Sequence, residues 1–137
     1  MKDAVRVYTT AVPSGPHSSG AWSAVLTVQN RSGKVMAELS VPLIHSVNQG
    51  PTAHRDASIG AMLCGLTAAR RFGARNVIVY SDSPPAVDVL NKRAQVSHAS
   101  AGVYLQTKAL AYSFRSAQYH YSPYPAMSDA PAIAAGC

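Results

Sequence analysis

Charged side chains are scarce in this sequence. They make up 13% of the 137 residues, whereas 47% are hydrophobic and the mean hydropathy is +0.01. The hydrophobic share is normal for a globular protein, but the charged share is low for a surface that faces only water. The composition therefore favours a protein partner or a homodimer that covers part of the surface.

The sequence also lacks a cysteine framework and a long apolar run. Its two cysteines, Cys64 and Cys137, have no spacing typical of a disulfide scaffold or a zinc site. The first residues lack the apolar stretch of a signal peptide, and no segment approaches the ~18 uninterrupted apolar residues of a membrane span. We therefore expect a reducing, cytoplasmic setting and no membrane partner.

Acidic residues are half as numerous as basic ones. Six Asp and Glu stand against twelve Lys and Arg, which gives a net charge of +6 and a pI near 9.6. A positive surface attracts polyanions, either nucleic acid or an acidic face of another protein. Composition alone does not separate these partners, and it also fits a basic protein that binds no polyanion.

Three strands are predicted in the first third of the chain. Alternating polar and β-branched or aromatic residues predict a strand at 5–10, followed by a Pro/Gly/Ser loop at 11–20. Segments 21–30 and 35–44 are predicted as the two arms of an antiparallel hairpin. Pro42 cannot donate to a strand ladder, so the second arm is expected on a sheet edge or at a bulge.

Helices and strands alternate in the rest of the chain. Apolar residues three and four apart predict a helix at 56–72, and a near-continuous apolar run predicts a buried parallel strand at 76–81. A short helix is expected at 84–92, capped by Asp82 or Ser83. The remaining predicted elements are a helix at 101–115, a strand at 118–122 and a terminal helix at 126–135.

The order β-β-β-α-β-α-α-β-α indicates a single α/β domain over residues 1–137 with one mixed sheet. Four motifs occur along it: Val7-Tyr8-Thr9, the segment 20–26, the helix 57–66, and the segment 77–83 that ends in Asp-Ser. Their order and spacing resemble the type 1 ribonuclease H family over nearly the whole chain. The resemblance implies a ribonuclease-H-like fold, a five-stranded mixed sheet with three antiparallel strands followed by two parallel ones, flanked by helices.

The chemistry of that family depends on four carboxylates that hold two Mg²⁺ ions for phosphodiester hydrolysis. By the resemblance, the first two positions fall on Thr10 and Ser58, neither of which is a carboxylate. The third position matches Asp82. The fourth falls on Pro131, or on Asp129 if the register shifts by two residues. We therefore expect hydrolysis to be lost.

Two further details affect this expectation. Asp56 does not replace the missing second carboxylate, because it lies two positions before Ser58 and points about 200° around the helix from it. The flexible-loop His of the family has no match in residues 121–125. Asp82 keeps two interpretations, as a weak residual ligand for Mg²⁺ or Mn²⁺ or as a helix cap. No other cofactor is expected.

Basic residues supply the candidate nucleic-acid interface. His54 and Arg55 precede the first helix, near the mouth where a family member holds its substrate, and they either contact phosphate or lie in a solvated loop. Five more basic residues are expected at the ends of two neighbouring helices, as a phosphate-facing patch or as solvated helix ends. These five are Arg70, Arg71, Arg75, Lys92 and Arg93.

The predicted last strand is rich in aromatic side chains. His120 is expected to pack within that strand. Tyr119, Tyr121 and Tyr124 alternate along and beyond it, so they either expose one side of the segment or pack under the terminal helix.

Three functions stay open. The favoured one is a catalytically silent ribonuclease-H-like module that binds nucleic acid, as RNA/DNA hybrid or duplex, through its basic surface. The second is a working hybrid ribonuclease that uses Asp82 and Asp129 with Mg²⁺ or Mn²⁺. The third is a protein-interaction or self-association domain, which the low charged fraction and the Tyr-rich C-terminal segment suggest.

Overall fold

The computed structural model describes residues 4–14, 21–43 and 52–123. Within these ranges no helix is long and apolar enough to cross a membrane. The elements found there are β1 (Ala4–Pro13), β2 (Trp22–Gln29), β3 (Val35–Pro42), α1 (Ala53–Arg71), β4 (Asn76–Ser81), α2 (Pro84–Leu90), a 3-10 turn (His98–Ser100), α3 (Ala101–Ala111) and β5 (Ser116–Tyr121).

The strands form one mixed sheet in the order β3-β2-β1-β4-β5. β1 pairs antiparallel with β2, and β2 antiparallel with β3, whereas β4 runs parallel to both β1 and β5. The apolar run of β4 lies between two neighbours, and Val77 and Val79 are fully buried, as expected for a parallel strand. The predicted α/β fold class, with its five-stranded mixed sheet, is confirmed.

Strand β1 is longer than the sequence predicts. β1 continues to Pro13, although residues 11–13 were expected to begin a loop. Their backbone pairs with β2, in a register that places Ala11 opposite Ala24 and Pro13 opposite Trp22. Tertiary pairing therefore overrides the loop-like composition. Pro42 is the last residue of β3, an edge strand, where a missing N–H is tolerated, so this expectation is confirmed.

Helix α1 packs directly on the sheet. It begins at Ala53, three residues before the predicted start, and buries Ile59, Met62 and Leu66 completely. Gly65 permits the close approach to β1, because a Cβ at this position would lie 2.9 Å from Cγ2 of Thr9. This contact fixes the height of α1 above the sheet and therefore the position of its first turns relative to the ends of β1 and β4.

In the second half of the chain, two helices end earlier than predicted and the last strand begins earlier. α2 stops at Leu90 and α3 at Ala111, while β5 begins at Ser116, two residues before the predicted start. The early start of β5 follows from parallel pairing, since the N–H of Arg115 donates to the carbonyl oxygen of Arg75 at 2.7 Å. The predicted terminal helix at 126–135 lies outside the described residues.

Candidate functional site

Two residues meet at the carboxyl ends of β1 and β4. These strands are parallel neighbours that pair up to Thr9 and Ser81, so the next residues, Thr10 and Asp82, reach the same edge of the sheet. The hydroxyl of Thr10 donates to Oδ2 of Asp82 at 2.7 Å. Thr10 is buried, and the side chain of Asp82 is 22% exposed. A hydroxyl and a carboxylate therefore form a direct pair at this edge.

Asp82 is not the cap of the following helix. The N-cap of α2 is Ser83, whose Oγ accepts from the backbone N–H of Ala86 at 3.3 Å, with Pro84 in the first turn. Of the two predicted cap residues, Ser83 is confirmed. Oδ1 of Asp82 is buried and has no hydrogen-bond partner among the described residues. Capping of α2 therefore does not account for the presence of Asp82 at this position.

His54 lies over the other side of Asp82. Its Nε2 is 4.0 Å from Oδ1 of Asp82, and its side chain is 45% exposed. The ring of Trp22 lies at 6.1 Å, measured between centroids. His54, Asp82 and Thr10 thus form a connected row that runs from solvent into the sheet. The sequence placed His54 near a substrate mouth, and the structure brings it to Asp82.

The first turns of α1 hold two further residues of interest. Ser58 is fully buried, and its Oγ has no hydrogen-bond partner in the described part of the chain. Asp56 is also buried, but its Oδ1 is 3.2 Å from both Nε and Nη2 of Arg55 and accepts from Ser97 at 3.4 Å. Arg55 and Asp56 therefore form an ion pair with each other. Asp129 and Pro131 lie outside the described residues.

The five basic residues predicted for the patch are all exposed, but they lie in different surroundings. Arg71 borders an apolar cavity of about 490 Å³ between α1 and β3. Lys92 borders a second cavity of about 240 Å³, which we call the basic cavity. Arg93 forms an ion pair with Asp88 at 3.6 Å. Arg71 and Lys92, expected in one patch, therefore line different cavities.

Sequence reasoning missed two cations. Lys108 of α3 and Arg115, at the start of β5, line the basic cavity together with Lys92. A signal was present for Arg115, because parallel pairing of 76–81 with the last strand sets the residues before each strand side by side. Arg75 and Arg115 are indeed joined by a backbone hydrogen bond. Lys108 had no comparable signal in the sequence.

The tyrosines of β5 differ in exposure although they lie on the same face of the strand. Tyr119 is buried, whereas Tyr121, at the end of the strand, is 52% exposed; Tyr124 lies outside the described residues. His120 is exposed as well, and the expectation that it packs within the strand was wrong. β5 is an edge strand, so its side chains have a neighbouring strand on one side only. His120 contacts Tyr80, at 6.0 Å between ring centroids.

Tyr119 gives the structure a defined response to alkaline pH. Burial, with a smaller effect of Tyr104, raises the pKa of Tyr119 to about 12 from the usual 10.0. The unfolded chain therefore loses this proton first, so stability is unaffected below pH 10 and falls as the pH rises towards 12. Absorbance at 295 nm should show one tyrosine that titrates near pH 12. The Tyr119→Phe variant should lack that step and lose less stability at high pH; an unchanged titration curve would contradict the assignment.

Comparisons with known proteins agree with this architecture. A family model described as reverse transcriptase-like matches residues 15–137. Ribonuclease H1 of the archaeon Halobacterium salinarum is 16% identical, with a TM-score of 0.75 over 95% of this chain and 93% of that one. The N-terminal ribonuclease H domain of a Mycobacterium tuberculosis protein is 24% identical, with a TM-score of 0.68 over 89% and 85%.

A third solved structure is LC11 ribonuclease H1 in complex with an RNA/DNA hybrid. It is 15% identical, with a TM-score of 0.72 over 94% of this chain and 92% of that chain. A search of curated proteins gave no match. At these identities the structural likeness concerns the fold, and the fold is ribonuclease-H-like, as the resemblance in the sequence predicts.

Proposed function

The chain belongs to the reverse transcriptase-like family, and on that premise we propose that it binds an RNA/DNA hybrid or duplex without hydrolysing it. The ribonuclease-H-like fold supports nucleic acid as the partner. The contents of the site support the absence of hydrolysis. The two parts of the proposal rest on different residues, so each has its own experiment.

The contact between Thr10 and Asp82 is the observation on which the loss of hydrolysis depends. The resemblance implies a carboxylate at position 10, within reach of the one at position 82. Here a hydroxyl donates to Oδ2 of Asp82 instead, at 2.7 Å. The hydrogen bond gives that oxygen a neutral partner, where a hydrolytic member of the family would need a metal ion.

The donors at the described positions do not fit the two Mg²⁺ ions of the family's chemistry. Mg²⁺ is a hard ion that proteins usually bind through carboxylates. Among positions 10, 58 and 82 only Asp82 is a carboxylate, and Asp56 is paired with Arg55. Within residues 4–14, 21–43 and 52–123 there is no group of three or more His, Cys, Asp or Glu that could hold a metal.

Binding would rest on exposed positive charge. Arg70 and Arg71 form the last turn of α1, and both are exposed, as is Arg75 just beyond it. With a net charge of +6, such a surface attracts phosphates and releases counterions on binding. His54, beside the Thr10–Asp82 pair, would contact the phosphate backbone of the nucleic acid where it passes nearest to Asp82.

Salt dependence of hybrid binding tests this part. Fluorescence anisotropy with a labelled hybrid should give an affinity that falls linearly with salt on a double-logarithmic plot. The double variant Arg70→Gln/Arg71→Gln should reduce the slope by about 2, because each phosphate contact contributes about 1. The matched control Arg31→Gln/Lys34→Gln removes the same charge from the turn between β2 and β3, where both residues are exposed.

The control variant distinguishes binding at the end of α1 from attraction by the total net charge. If binding occurs at the end of α1, the control should leave the salt slope nearly unchanged. Absence of binding at low salt would refute the proposal. Equal losses in the two double variants would mean that attraction follows the total charge, not the end of α1.

A further inference from the structure

The basic cavity concentrates positive charge at the end of the fold opposite Asp82. It lies between the end of α2, the second half of α3 and the start of β5, with a volume of about 240 Å³. Lys92, Lys108 and Arg115 line it, one from each of these regions. No carboxylate is among the described residues that line it. Three cations therefore line the same cavity.

The cations affect one another. The Nζ of Lys108 donates to the carbonyl oxygen of Leu90 at 3.1 Å and lies 5.5 Å from the centroid of the Tyr119 ring. Burial, and next the charge of Lys92, lower the pKa of Lys108. An anion bound between these groups would relieve this repulsion.

Tyr119 adds an unused hydrogen-bond donor to the same cavity. The residue is 6% exposed, and its hydroxyl is buried with no hydrogen-bond partner among the described residues. Buried hydroxyl groups are nearly always paired in folded proteins, because leaving one unpaired is destabilising. Tyr119 lines the cavity beside Lys108. Its hydroxyl is itself covered, so a ligand reaches it through a shift of the surrounding side chains and then supplies the missing acceptor.

The backbone at Lys92 closes helix α2. Its φ is +63°, and among the described residues no other non-glycine residue has a positive φ. The N–H of Lys92 donates to the carbonyl oxygen of Val89 and that of Arg93 to the carbonyl oxygen of Asp88, the two hydrogen bonds of a Schellman motif. The conformation follows directly after α2 and places Lys92 among the residues that line the cavity.

We propose that the basic cavity binds a phosphate group. Lys92, Lys108 and Arg115 would neutralise the anion, and the hydroxyl of Tyr119 would donate to one of its oxygens. A phosphate offers several acceptors to several donors at once, and the planar guanidinium of Arg115 suits two of its oxygens. The group could belong to a nucleic-acid backbone or to a free phosphorylated molecule, and both present the same chemistry. The site goes beyond the proposed function, because it requires no hybrid.

A titration with inorganic phosphate, followed by NMR, tests the site in the full chain. The amide signals of residues 92, 108, 115 and 119 should shift and saturate together. Lys92→Met and Tyr119→Phe should each weaken binding about tenfold, the usual effect of losing one hydrogen bond to a charged group. Lys34→Met removes one exposed charge from the turn between β2 and β3 and should leave the affinity unchanged.

The stability of Tyr119→Phe and a comparison of phosphate ligands complete the test. Tyr119→Phe should unfold at the same denaturant concentration as the unchanged protein, or at a higher one, when phosphate is absent, because the hydroxyl has no protein partner to lose and its burial without one is destabilising. Repeating the titration with a nucleoside monophosphate and a short oligonucleotide identifies the source by the tighter binder, and either result supports the site. No saturable shift up to about 50 mM phosphate, well above a millimolar Kd, or equal weakening by Lys34→Met, would overturn it. Loss of hybrid binding alone would not, because that depends on the arginines of α1.

Discussion

The variant Thr10→Asp should be less stable than the unchanged protein by about 3 kcal/mol at pH 7 in the absence of divalent cations, the scale of an uncompensated buried charge. The new carboxylate would stand where the hydroxyl now donates to Asp82 at 2.7 Å. Two carboxylates at this distance do not both ionise without a cation or a proton between them. Urea denaturation in a chelator measures the loss.

Mg²⁺ should then stabilise this variant selectively. At ten times its Kd, a bound ion adds about 1.4 kcal/mol to the free energy of unfolding, whereas the unchanged protein should show no response. The control is Thr10→Asn, whose neutral amide still donates to Asp82 and which should not respond to Mg²⁺. If Thr10→Asp were as stable in chelator as the control, positions 10 and 82 would not be in contact.

Truncation of Leu66 to Ala should lower the free energy of unfolding by about 2–5 kcal/mol. Leu66 is fully buried in α1, next to Gly65, where the helix lies against β1. The close approach leaves little room for the helix to collapse into the cavity that the truncation creates. The midpoint of urea denaturation, with an unchanged m-value, measures the effect.

Leu105→Ala is the matched control for this truncation. It makes the same chemical change in α3, but Leu105 is 65% exposed. Surface substitutions of this kind usually stay within about 0.5 kcal/mol. Equal effects of the two truncations would mean that α1 does not pack on the sheet as described.

The sequence predicts much of this fold because the decisive patterns are local. The apolar run at 76–81 matches β4 in full, and Ser83 followed by two prolines marks the start of α2. The end of β1 could not be predicted, since Pro13 belongs to the strand only through pairing with Trp22 of β2. Strand ends of this kind depend on partners that a local pattern does not contain.

The sequence likewise predicts one part of the candidate site and misses another. Parallel pairing of β1 and β4 implies that Thr10 and Asp82 meet, and they do. The basic cavity was not foreseen, because it needs the relative placement of α2, α3 and β5. The exposure of His120 was missed for a related reason. The residues of β5 carry no edge signal of the kind that Pro42 gives β3, so its place at the edge follows from the sheet order alone.

Incubation with an end-labelled RNA/DNA hybrid, beside an Asp82→Asn variant, is the most direct test of the loss of hydrolysis. Mg²⁺ and then Mn²⁺ are supplied at saturating protein, and the products are resolved on a denaturing gel. The RNA should stay intact with both proteins. Cleavage of the RNA that disappears in Asp82→Asn would contradict the loss of hydrolysis and would mean that it survives on a reduced set of carboxylates.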